Sequence, residues 1–167
     1  RKEPMKKEEI LNNTIQEHSK IIEDIVFDIV KQFTEPLDSI MATCRNIFNS
    51  TEKASNQELE DLLAQLPSTL YFVNEGQEAV GLKEDVAKIT KTMNYNIARE
   101  KATGTVADKN TTAELSVMNE EINRIIYQRA YKMIKSKVEM GQEMINSLKR
   151  VFDARMMDYQ IGNGVRR

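Results

Sequence analysis

From Ala113 to Tyr159 the chain sets apolar residues in steps of mainly three and four, with no proline in the way. Leu115, Met118, Ile122, Ile125, Ile126, Ala130, Met133, Ile134 and Val138 begin the series, and Gly141, Met144, Ile145, Leu148, Val151, Phe152 and Met156 carry it on. Such spacing predicts one amphipathic α-helix running to the "IGNG" stretch. Roughly 45 residues of helix reach about 70 Å at 1.5 Å per residue. A globule of 167 residues cannot enclose a helix that long. It must lie against the preceding helix as a hairpin, against neighbouring subunits, or both.

The rest of the chain has the same character. A first helix is expected from about Met5, with Ile10, Leu11, Ile15, Ile21, Ile22, Ile25, Val26, Ile29, Val30 and Phe33 on one stripe. Pro36 predicts a kink, or a new helix capped by Thr34, and the pattern resumes through Leu37, Ile40, Met41, Cys44, Ile47 and Phe48. "NSTEKASN" at 49–56 reads as a loop, and Ser55 with Glu58 forms a capping box for the next helix. Pro67 is expected to stop that helix, Ser68 to cap another, and Gly81 to end it in a left-handed conformation. A further helix, "KEDVAKITKTMNYNIAREKA", ends near Gly104, where "ATGTV" reads as a cap or hairpin tip. No segment alternates with period two, so no strand is expected. The predicted fold is all-α: an elongated, oligomeric hairpin or bundle with one very long C-terminal helix. It divides into acidic N-terminal helices (1–50), short helices (51–82) and a hairpin with a basic C-terminal helix (83–161).

Composition excludes several functions. A single cysteine, Cys44, forms no intrachain disulfide and sits in an apolar stripe, as a small core residue would. The one histidine, His18, has no His or Cys neighbours to make a transition-metal site. No phosphate-binding glycine loop or serine elbow occurs, and pairs such as Glu8/Glu9 and Glu120/Glu121 read as solvated. No enzyme, cofactor or metal is expected. No stretch approaches the roughly 20 apolar residues of a membrane span. "IIEDIVFDIV", broken by Glu23, Asp24 and Asp28, is not a signal peptide. The chain opens on Arg1, so an initiating segment is expected to have been removed. A soluble, cytoplasmic protein is the expectation.

Charge is graded. Residues 1–82 carry 8 Lys/Arg against 15 Asp/Glu, residues 83–121 carry 6 against 7, and residues 122–167 carry 10 against 4. Either the two ends meet different partners, or they complement each other within or between chains. The basic end opens with "RIIYQRAYKMIKSK", where Arg124, Tyr127, Tyr131 and Lys135 share a helix face. Arg129, Lys132 and Lys137 flank that face, and Lys149, Arg150 and Arg155 follow. Cations that track phosphates beside rings that stack on bases are what single-stranded nucleic acid requires. The plainer alternatives are an interface tyrosine and a solvated basic face, or basic partners for acidic helices.

The stretches "YNIAREKATGTVADK", "IIYQRAYKMIKSK" and "INSLKRVFDARM" resemble the phage UvsY-like recombination mediators over roughly residues 70–157. The resemblance implies a helical, ring-forming, self-associating protein that binds single-stranded DNA. Such a protein helps to load a RecA-type recombinase onto strands coated by single-stranded-DNA-binding protein, in the host cytoplasm if the chain is viral. Arg124, Arg129, Lys132, Lys135 and Lys137 would carry the DNA contact, with Lys149 and Arg150 further along and Tyr127 and Tyr131 as stacking residues. The acidic N-terminal helices depart from that pattern. They could dock a basic partner or mimic DNA. The alternative function is a structural or adaptor protein that works through protein contacts alone.

Overall fold

A computed structural model describes the backbone of residues 7–49 and 54–164, and the side chains of 16–49 and 54–161. The described residues form four helices and no strand: α1 (Lys7–Asn49), α2 (Asn56–Lys101), α3 (Val106–Ser116) and α4 (Met118–Gly164). The expected start at Met5 and residues 50–53 of the 49–56 loop lie outside the described residues, as do the side chains of Ile10, Leu11 and Ile15.

Helix ends follow local chemistry. At the start of α2 the Glu58 carboxylate accepts from the Ser55 backbone N–H at 2.7 Å, and Ser55 Oγ accepts from the Glu58 N–H at 3.2 Å. This is the capping box anticipated from the sequence. A second box opens α3, with Thr105 as N-cap and Asp108 answering it. Between them Gly104 has φ +111°, a left-handed conformation that makes the corner after α2. The chain then breaks once more at Val117, whose N–H reaches back only to the Glu114 carbonyl before α4 begins.

At Pro67 and Gly81 the helix runs on through the expected breaks, and at Pro36 no new helix starts. Pro36 lies inside α1 and Pro67 inside α2. Both are exposed, so the carbonyl that each ring frees four residues earlier can be hydrated on the solvent face. Thr34, expected as a cap, is instead fully buried. Gly81 continues α2. A Cβ there would stand 3.2 Å from the Tyr131 ring, so glycine serves close approach rather than termination. As a result α1, α2 and α4 span 43, 46 and 47 residues, and length does not set the C-terminal helix apart.

The chain divides into two compact units, each assembled from segments of α1, α2 and α4. One comprises Arg1–Lys31 and Ala79–Tyr131, which includes α3; the other comprises Gln32–Glu78 and Lys132–Arg167. The second unit has a leucine-rich interior. Leu59, Leu62, Leu66, Leu70 and Val73 form a seam on α2 at three- and four-residue steps. Leu37 and Cys44 of α1 and Ile134, Val138 and Leu148 of α4 are buried in the same unit. Each such side chain contributes about 2 kcal/mol by leaving water. The first unit is lined more thinly, by Val26, Val30, Val80, Ala113, Val117, Ile126 and Ala130. Leu115, Met118 and Ile122, expected on the buried stripe, are exposed, as are Ile21 and Ile25.

Candidate nucleic-acid interface

The basic stretch falls on α4, and its buried stripe is largely the expected one: Ile126, Ala130, Ile134 and Val138 are all buried. Each unit fixes its share of the neighbouring polar residues differently.

In the first unit, Arg124 does not face solvent freely. Its guanidinium donates twice to Glu121, through Nε and one terminal nitrogen, both at 2.8 Å. Lys91 of α2 reaches the same carboxylate at 2.9 Å. These two cations hold the Glu121 carboxyl down at about 2, Arg124 contributing more than Lys91. Next to it Asn94 donates to Glu120 at 2.7 Å. The acidic pair expected to be solvated is therefore the centre of an α2–α4 polar network. Its signal was present in the sequence, since Glu121 and Arg124 stand at i,i+3.

The two tyrosines are half-buried by α2. The Lys83 ammonium lies 5.8 Å from the centre of the Tyr127 ring, a cation–π arrangement. The Tyr131 ring fills the space over Gly81. Both rings thus have a neighbour within the chain while remaining half-exposed. Arg129 is exposed.

In the second unit, Lys132 and Lys135 are exposed, and so are Lys149 and Arg150 about four to five turns later. No carboxylate lies within ion-pair distance of these four or of Arg129 among the described residues. Lys137 points elsewhere. Its ammonium binds the Asp38 carboxylate of α1 at 2.6 Å and donates to the buried Thr34 hydroxyl at 3.2 Å, while that hydroxyl donates to Asp38. Arg155 is likewise occupied, donating to the Ala54 carbonyl. Of the nine expected contact residues, five remain available to an external anion: Arg129, Lys132, Lys135, Lys149 and Arg150. Arg124 and Lys137 are structural ion-pair partners, and Tyr127 and Tyr131 are packing residues.

Elsewhere Cys44 is fully buried, and burial pushes its thiol up from the ordinary range. His18 is exposed. Among the described residues no three His, Cys, Asp or Glu side chains converge as a metal site would require, and no helix is long and apolar enough to cross a membrane. Comparison with protein-family models, with characterised proteins and with solved structures returns no match to this chain.

Proposed function

We propose that the protein is a non-enzymatic mediator that binds single-stranded DNA through α4. In that role it assists the loading of a RecA-type recombinase onto strands covered by single-stranded-DNA-binding protein. The observation that carries the DNA contact is the set of exposed cations of α4 in the second unit that have no ion-pair partner among the described residues: Lys132, Lys135, Lys149 and Arg150. They lie on a chain of net charge −2, so the positive surface is local rather than general. Contacts of this kind engage phosphates and carry no base information. With Tyr127 and Tyr131 half-buried against α2, binding is driven by counterion release and is indifferent to sequence. The recombinase-loading role rests on the resemblance of residues 70–157 to the UvsY-like mediators.

One observation favours a second function. Arg124, Lys137 and Lys91 already answer acidic residues of the same chain, as in a scaffold whose charges serve assembly. An adaptor of that kind has no affinity for DNA. Fluorescence anisotropy of a labelled oligothymidine across a salt series separates the two. A mediator shows saturable binding at low salt, with log K falling linearly against log salt. Absence of saturable binding at the lowest salt rejects the mediator.

A further inference from the structure

Helix α2 wears its apolar side outward in the first unit. Over Ala79–Lys101 it buries only Val80 among its large side chains. The half-buried positions that follow Gly81 are Glu84, Ala87, Lys91, Asn94, Tyr95 and Ala98, of which only Tyr95 is a large ring, with Lys91 and Asn94 bound to Glu121 and Glu120. Meanwhile Leu82, Val86, Ile89, Met93 and Ile97 follow steps of four, three, four and four. They are 65%, 54%, 60%, 58% and 46% exposed. A helix in water does not place its leucine and isoleucine outside and its lysine inside unless the outer stripe has a partner.

We propose that this stripe is a homotypic interface, on which α2 of a second copy of the chain packs about a two-fold axis. The spacing is that of a short coiled-coil seam, self-complementary by construction. Half to two-thirds of five large side chains is roughly 100 Å² apiece. That is about 500 Å² per copy and about 1,000 Å² across a symmetric pair, the threshold for a specific interface. Charge selects the occupant. Both signs border the stripe, with Lys83 and Lys101 against Asp85 and Glu100, and the unit as a whole has 14 Lys/Arg and 14 Asp/Glu. An anionic lipid surface or a nucleic acid calls for one sign. A second copy of a neutral, mixed-charge surface meets no net repulsion. The interface uses none of the five exposed cations of α4 and stands whether or not they bind DNA.

The test is the mass of the full chain by light scattering after size exclusion, at 1–50 µM and at low and 1 M salt. The expected mass is twice 19.2 kDa at both salts, because apolar burial is not screened. Ile89→Glu with Met93→Glu places two charges per copy in the seam and should raise the dimer dissociation constant by at least about 100-fold. Both positions are exposed in the single chain, so helicity by circular dichroism should stay unchanged. Phe72→Glu, an equally exposed apolar site in the other unit, should leave the mass as it was. A parent chain that runs at 19.2 kDa at 50 µM overturns the proposal. So does a double variant that keeps the dimer mass, or a monomeric parent whose stripe instead binds neutral lipid vesicles.

Discussion

The sharpest division within α4 is between lysines two residues apart. Lys135 is exposed, and Lys137 is bound to Asp38 and Thr34. A single-stranded phosphate contact contributes about 0.7 to the slope of log K against log salt. The four available cations of the second unit therefore predict a slope of about −2.8 per chain, and a loss of about 50-fold in affinity between 50 and 200 mM salt. Lys132→Gln with Lys135→Gln removes two contacts. The slope should fall to about −1.4, and the same salt step should then cost only about 7-fold. Lys137→Gln should leave the slope at its parental value and act on the fold instead. Its ion pair is partly solvated, with the two side chains 30% and 47% exposed, so its loss should destabilise by only about 1 kcal/mol. Anisotropy titrations at four salt concentrations and urea melts of the three proteins supply both readouts. Equal slopes for the parent and the double variant refute the assignment of Lys132 and Lys135 as phosphate contacts. A Lys137 variant with a reduced slope and unchanged stability refutes the division itself.

Three further outcomes follow from the geometry. Glu121 has its folded pKa depressed to about 2, so its stabilisation is present above the usual glutamate range and fades as pH falls from there toward 2. Glu121→Gln should cost about 1 kcal/mol near pH 7, allowing for its partial exposure, and thermal melts should show the gap to the parent closing by about pH 2. At Gly76 a Cβ would stand 2.5 Å from Phe33 Cδ1 and 2.9 Å from Phe33 Cβ. Gly76→Ala should therefore destabilise by about 1–2 kcal/mol in urea, despite alanine's better helix propensity; a stabilised variant shows that Phe33 moves aside freely. Thr105→Ala removes the α3 N-cap and should cost about 1 kcal/mol, and no change in melting temperature would mean that the capping box does not hold this helix start.

Periodicity made the helices legible, and short-range capping made some of their ends legible. Ser55 with Glu58 was readable because every atom of the box lies within four residues. The helix stops expected at Pro67 and Gly81, and the new helix offered at Pro36, failed for the converse reason. Each of these residues is a local helix breaker, and each is overridden by packing: Thr34 and Leu37 are buried on either side of Pro36, Leu66 and Leu70 around Pro67, and Gly81 receives a ring from α4. The candidate site divides the same way. The cations of α4 could be counted from the sequence, but the loss of Lys137 to Asp38, 99 residues away, depends on tertiary register. No one-dimensional pattern encodes that register. The tyrosines could be placed at the border of the buried stripe, whereas the Lys83 ammonium over one ring and the glycine under the other could not.

Those two rings have a practical consequence, because the chain has five tyrosines and no tryptophan. Tyrosine emission then dominates the intrinsic ultraviolet fluorescence, with no indole acceptor to drain it. Tyr127 beside an ammonium and Tyr131 pressed on bare backbone sit in surroundings unlike that of the solvated Tyr71. Single replacements by phenylalanine should therefore sort the spectrum ring by ring. The protein would then report, without any dye, whether α2 and α4 stay together when something binds.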